Sequence, residues 1–146
     1  MFYFTWRVVF KKQQRLQGKE VRFLTRKRQV FSRWLFTIFF VEQYSNRKFH
    51  QLSFHIPLLV SKRAVVRHKI KRILIQAFEQ TFPTYEGPYY KCFITLHKMK
   101  LQPLLTFLEK KDSVGLKNYL QQEYIQTFSS FLAQAWKLQK SQQKKS

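Results

Sequence analysis

The chain has 146 residues, with 28 Lys or Arg against 7 Asp or Glu, a formal charge of +21 at neutral pH. This length predicts one domain with one core, and a hydrophobic content of 45% excludes wholesale disorder. A single cysteine, Cys92, excludes an internal disulfide and a thiolate-rich zinc site. Four His and seven acids, scattered along the chain, argue against a metal or carboxylate centre built by the protein itself.

A charge of this size on one domain is self-repulsive, and a polyanion would neutralise it. Nucleic acid and an anionic membrane are the two candidates. The longest apolar run, Trp34 to Val41, is interrupted by Thr37 and is too short to span a bilayer. The segment from Met1 to Phe10 is aromatic, contains Arg7 and lacks the features of a signal peptide. With one free cysteine, this points to the cytoplasm.

Residues 1–12 read as an arm or an edge strand, with Trp6, Val8 and Phe10 alternating with Arg7, Val9 and Lys11. Residues 18–27 fit a short helix, with Val21 and Leu24 on one face and Arg22, Arg26 and Lys27 elsewhere. Residues 29–42 are rich in Phe, Val, Ile and Thr, which favours strand. A polar turn follows at Tyr44 to Lys48. A second strand region spans 49–57, where Leu52, Phe54 and Ile56 alternate with Ser53 and His55 and Pro57 marks the end.

The clearest helix covers 64–81, with Val66, Ile70, Ile73, Leu74, Ala77 and Phe78 in one stripe. Pro83 to Pro88 reads as a loop, and Tyr89 to Leu96 as a third strand region that includes Cys92. After Pro103, Leu104, Leu105 and Leu108 predict a helix. Asp112 or Ser113 then caps a longer one, whose stripe is Leu116, Leu120, Tyr124, Phe128, Phe131 and Ala135. Residues 139–146 read as a basic tail, so the expected organisation is an arm (1–12), one domain (13–138) and that tail.

The helix at 64–81 opens on a cation run. Lys62, Arg63, Arg67, Lys69, Lys71 and Arg72 occur with no acid between them. Arg67 and Lys71 are four apart, as are His68 and Arg72, so both pairs should project as adjacent rows on the solvent side of the helix. Like charges at this spacing weaken an isolated helix. Lys62 and Arg63 also sit near its positive end, which is wrong for the helix dipole but right for an anion site.

The run Ala64-Val-Val-Arg67-His68-Lys69-Ile70-Lys71-Arg72, continued by Ile73, Leu74, Gln76, Ala77 and Phe78, closely resembles the signature of the bacterial ribonuclease P protein component. Arg15 to Val21 resembles that family's lead-in to its first helix, and Gln29 to Arg33 its lead-in to the sheet. Five departures stand out. Leu58-Leu59 replaces a usual Lys-Lys pair, and Ile75 replaces a usual basic residue. Val21 and Thr25 occupy usual aromatic positions, the usual glycine after the first helix is missing, and the C-terminal region is longer than usual.

The resemblance implies an α+β fold, a two-layer α/β sandwich of order α-β-β-β-α-β-α shared with one domain of a small-subunit ribosomal protein. Its β-α-β crossover would be left-handed, against the usual rule, and the C-terminus would be an extended helical part. The implied function is that of a ribonuclease P protein subunit, which binds the catalytic P RNA and the 5′ leader of precursor tRNA. Mg²⁺ and the catalytic centre would belong to the RNA, with no catalytic residue and no cofactor on the protein. One protein copy per RNA and no membrane partner are expected.

Within that implication, Lys62, Arg63, Arg67, His68, Lys69, Lys71 and Arg72 face RNA. The leader would lie between the first helix and the sheet, near Val21 and on aromatics drawn from the strand regions. Phe36, Phe39, Phe40 and Phe54 are the candidates, each of which also suits an ordinary core. Ile75 would sit on the leader side. His55 and His68 suit hydrogen bonding to phosphate or base better than acid–base chemistry. The competing readings are a general RNA-binding or ribosome-associated protein, and a membrane-surface protein combining Phe with Lys and Arg.

Overall fold

The computed structural model of the chain describes residues 15–27, 29–81 and 88–144. The arm at 1–12 and most of the loop before Pro88 lie outside these residues. The elements are α1 (Gly18–Lys27), β1 (Val30–Arg33), β2 (Phe36–Glu42), β3 (Gln51–His55), α2 (Ala64–Thr81), β4 (Tyr90–Leu96), α3 (Gln102–Glu109) and α4 (Ser113–Lys144). The order is the expected one, with the C-terminal part divided into two helices.

The strands form one sheet in the order β1-β2-β4-β3. β1 with β2 and β2 with β4 are antiparallel, whereas β3 and β4, joined through α2, are parallel. The strand-rich stretch 29–42 is a hairpin rather than one strand. Its turn, Trp34-Leu35, carries no Gly, Pro or Asn, and Trp34 takes a positive φ of 50°. Tertiary contacts hold it: Leu35 is 1% exposed and its carbonyl accepts the His97 N–H at 2.6 Å.

Strand alternation sends Phe31, Phe36, Ile38, Phe40, Leu52, Phe54, Cys92, Ile94 and Leu96 to one face, where all are buried. α2 and α4 cover that face. The α4 stripe predicted from spacing is the centre of the core, each of its six residues being at most 2% exposed. Phe131 meets Phe40 edge-on at 4.8 Å, and Tyr124 meets Phe36 at 5.8 Å and Phe54 at 5.6 Å. Edge-to-face pairs of this kind add roughly 0.5–1.5 kcal/mol each beyond area burial. α4 continues through Lys144, into the segment expected to be a tail.

α3 ends and α4 begins through local chemistry. Lys111 adopts φ 56°, Lys111 N–H donates to the Leu108 carbonyl and Asp112 N–H to the Phe107 carbonyl, which closes α3 as a Schellman motif. Asp112 then caps α4, its carboxylate accepting the Gly115 N–H at 2.9 Å. A Cβ at Gly115 would collide with that carboxylate and with the Phe107 ring. Gly115→Ala is therefore expected to lower stability by about 1 kcal/mol, the lost cap outweighing alanine's better helix propensity. Urea unfolding checks this, and an unchanged or higher midpoint would contradict it.

α1 lies across the other face of the sheet. Leu24 is 1% exposed and Val21 half-buried, while Arg22, Arg26 and Lys27 are exposed, as their spacing predicts. The Lys91 ammonium, 3.2 Å from the Glu20 carboxylate, ties α1 to β4. Lys91 alternates with the core residues Tyr90 and Cys92, so α1 is on the side of the sheet opposite α2 and α4.

Candidate nucleic-acid interface

α2 forms because its apolar stripe meets the core. Ile70, Ile73, Leu74, Ala77 and Phe78 are buried, and Val66 packs partly against them. Its first turn holds no acid and its last turn no base, so the dipole is not offset by the helix's own charges. The backbone N–H of Arg63 donates to Ser61 Oγ at 3.2 Å and helps shape the turn before the helix.

The cations divide by position around the helix. Lys62, Arg63, His68, Lys69 and Arg72 are exposed, while Arg67 and Lys71 are half-buried on the flank facing β3. Arg67 Nη1 donates to the Ser61 carbonyl at 2.9 Å, which fixes the guanidinium and leaves further N–H groups to donate. Lys69 Nζ donates to Ser113 Oγ at 2.8 Å, linking α2 to the start of α4. Among the described residues, none of these cations meets a carboxylate. Glu20, by contrast, pairs with Lys91 on the other side of the sheet.

Ile75 departs from its expected place. It is 5% exposed and lines a depression of about 230 Å³ with Arg15, Leu16, Leu52, Ser53, Phe54 and Lys71. The chain before α1 fills the adjacent side, pairing Arg15 with Leu52 beside β3. Ile75 thus belongs to the packing between α2 and β3, not to an outward leader-side surface. Leu58 and Leu59 are exposed in the turn before α2.

Among the described residues, the second face of the sheet is only partly covered. α1 lies over the end marked by Val41 and Lys91. Beyond it, the register aligns Val30, Phe39, Phe93 and Ser53 in one row, and Ser32, Thr37, Thr95 and His55 in the next. Phe39 and Phe93 are half-buried with centroids 6.0 Å apart, and the exposed His55 ring stacks on Phe93 at 6.1 Å. The result is a short aromatic floor edged by hydroxyls.

This geometry corrects the choice of aromatics. Phe36, Phe40 and Phe54 are at most 4% exposed and belong to the core beneath α4, where a leader could not reach them. Phe39 has the opposite strand parity and faces out, and Val21 is half-buried on α1. Phe93, missed in the sequence, joins Phe39. Its signal was available: in β4 it shares parity with Lys91 and Thr95, not with Cys92, Ile94 and Leu96. Cys92 is fully buried, and burial raises its thiol pKa well above the usual value, which makes it unreactive. Among the described residues, no three His, Cys, Asp or Glu side chains gather as a metal-binding group, and no helix is long and apolar enough to cross a membrane.

The fold and its surface define a class: a four-stranded α+β sandwich whose β-α-β crossover helix is studded with cations that, among the described residues, meet no carboxylate. The same fold occurs in the RNase P protein of Staphylococcus aureus, with 15% identity, a TM-score of 0.55 and coverage of 84% of this chain and 94% of that one. It also occurs in the RNase P protein of Thermotoga maritima, with 15% identity, a TM-score of 0.55 and coverage of 77% and 96%. No curated protein matches the chain significantly. The sequence model of the Ribonuclease P family matches residues 10–116.

The chain belongs to the ribonuclease P family. Membership places it in a tRNA-processing ribonucleoprotein with an RNA partner.

Proposed function

We propose that this chain binds the catalytic P RNA through α2 and the 5′ leader of precursor tRNA across the open face of the sheet. In this reading the RNA removes the leader and creates the mature 5′ end. Lys62, Arg63, His68, Lys69 and Arg72, flanked by Arg67 and Lys71, meet RNA phosphates. Arg supplies a planar fork and Lys a point charge. Phe39 and Phe93, with His55 at the edge and Val21 on the α1 side, take unpaired leader bases by stacking, which tolerates any sequence. In this reading Mg²⁺ is held by the RNA partner.

The observation that carries this reading is that, among the described residues, none of the α2 cations meets a carboxylate, in a chain of this family. The expected setting is the cytoplasm, with one protein copy per RNA. Reconstitution tests it. Adding the protein to P RNA at low Mg²⁺ should raise cleavage of precursor tRNA well above that of the RNA alone. No gain would reject the role in tRNA processing and favour a general RNA-binding protein.

A further inference from the structure

α1 divides the second face of the sheet in two. The aromatic floor of Phe39 and Phe93 is on one side. On the other, two depressions meet at Glu42 and Tyr44. One, of about 370 Å³, runs between α1 and the end of β2 and is lined by Lys19, Phe23, Lys27, Val41 and Lys91 among others. The second, of about 650 Å³, is lined by Gln43, Ser45, Arg47, Lys48, Pro88 and Tyr89 in addition to the shared pair.

The chemistry of this groove is consistent along its length. Phe23 is 53% exposed and Tyr44 58% exposed, unusual values for large rings. Each ring has a cation beside it: Lys27 at 5.5 Å from Phe23, Arg47 at 5.1 Å and Lys91 at 4.1 Å from Tyr44. The buried Lys91 ammonium steadies Tyr44 while most of the ring stays open. Arg47 is further held by a 3.2 Å hydrogen bond to Gln51, and Gln51 by one of 3.1 Å from Gln43. Five cations line the two depressions against two carboxylates, Glu20 and Glu42, and Glu20 is neutralised by Lys91.

Exposed rings beside ordered cations suit a base on the ring and a phosphate on the cation. The concave shape suits a nucleotide-sized group, whereas a flat bilayer would not fill it. The groove also lies at the end of the sheet opposite the chain's exit from β3 toward α2. Five strand residues separate the two, about 15–20 Å, so a single RNA phosphate cannot occupy both.

We propose that this groove is a second site for single-stranded RNA, with Tyr44 and Phe23 as stacking surfaces and Lys19, Lys27, Arg47 and Lys48 as phosphate contacts. The site rests on the reading of the chain as an RNA-binding protein. It is separate from both α2 and the floor of Phe39 and Phe93.

The test uses the full chain and a fluorescein-labelled uridine hexanucleotide, with affinity read by anisotropy and stoichiometry by native mass spectrometry. The wild type should bind two hexanucleotides. Phe93→Ala should remove one. Tyr44→Ala combined with Phe23→Ala should weaken the other about tenfold or more, and the fully surface change Lys48→Glu should weaken the same site. Circular dichroism establishes that each variant is folded. Unchanged affinity and stoichiometry in both the Tyr44/Phe23 and the Lys48 variants would overturn the proposal while leaving the role in tRNA processing intact. A hexaglutamate peptide that binds more tightly than the hexanucleotide in a Tyr44-dependent way would also overturn it. Loss of hexanucleotide in the Tyr44 variant, alongside no stimulation of P RNA, would uphold this site and reject the tRNA-processing role.

Discussion

Acidification from neutral pH to about 4 is expected to cost the fold about 3 kcal/mol through one side chain, His50. Its ring is buried against Phe78, Tyr89, Tyr90 and Phe128. Its Nδ1 accepts the Tyr90 N–H at 3.1 Å, which leaves the ring proton on Nε2. Burial lowers the pKa from 6.5 to about 4. The folded state therefore holds His50 neutral where the unfolded chain already binds a proton. Stability from this group is complete above pH 6.5 and is lost as pH falls toward 4. The fall from 6.5 to about 4 corresponds to about 3 kcal/mol, a large part of a typical total of about 5–15 kcal/mol. His50→Asn keeps an acceptor near Tyr90 but cannot titrate. It should be less stable at neutral pH and lack this acid-dependent loss. Urea unfolding across pH 4–8 measures both chains. Parallel curves would contradict the assignment.

The second large effect concerns the open face of the sheet. Replacing Phe39 and Phe93 together by Leu keeps apolar bulk and removes the rings. Stacking contributes about 1–3 kcal/mol per base, so preference for leader-bearing precursor tRNA over mature tRNA should fall by roughly 5-fold to more than 100-fold. Phe40→Leu, in the core, should lower thermal stability and leave that preference unchanged. Competition binding in the presence of P RNA separates the two. Equal loss for precursor and mature tRNA would place the leader elsewhere.

The helices were legible because their period is long and their stripes are uninterrupted. α1 and α2 occur at 18–27 and 64–81 as read, and Asp112 is one of the two caps expected for α4. The hairpin between β1 and β2 was not legible. Its turn residues, Trp34 and Leu35, carry no turn chemistry and are held by burial and by His97.

Facing was only half legible. Phe36 and Phe40 share parity with Ile38, and Phe39 does not, yet a run of adjacent aromatics hides which parity is covered until a helix is seen to cover it. The burial of Ile75 was hidden for a related reason: its position on α2 borders the stripe, and only the chain at Arg15 and Leu16 closes over that flank. His50 gave no signal, being a polar residue between a turn and a strand.

The α2 cations were legible in the sequence as a run. That none of them meets a carboxylate among the described residues could be read only from the fold.

That outward cation surface is the centre of the account, and the salt dependence of P RNA binding tests it most directly. Each phosphate that a side chain no longer neutralises lowers the slope of log K against log salt by about 0.7–0.9. Arg67→Ala with Arg72→Ala should therefore weaken binding and reduce the slope by about 1.4–1.8. A slope equal to that of the wild type would mean that this face of α2 does not touch the RNA.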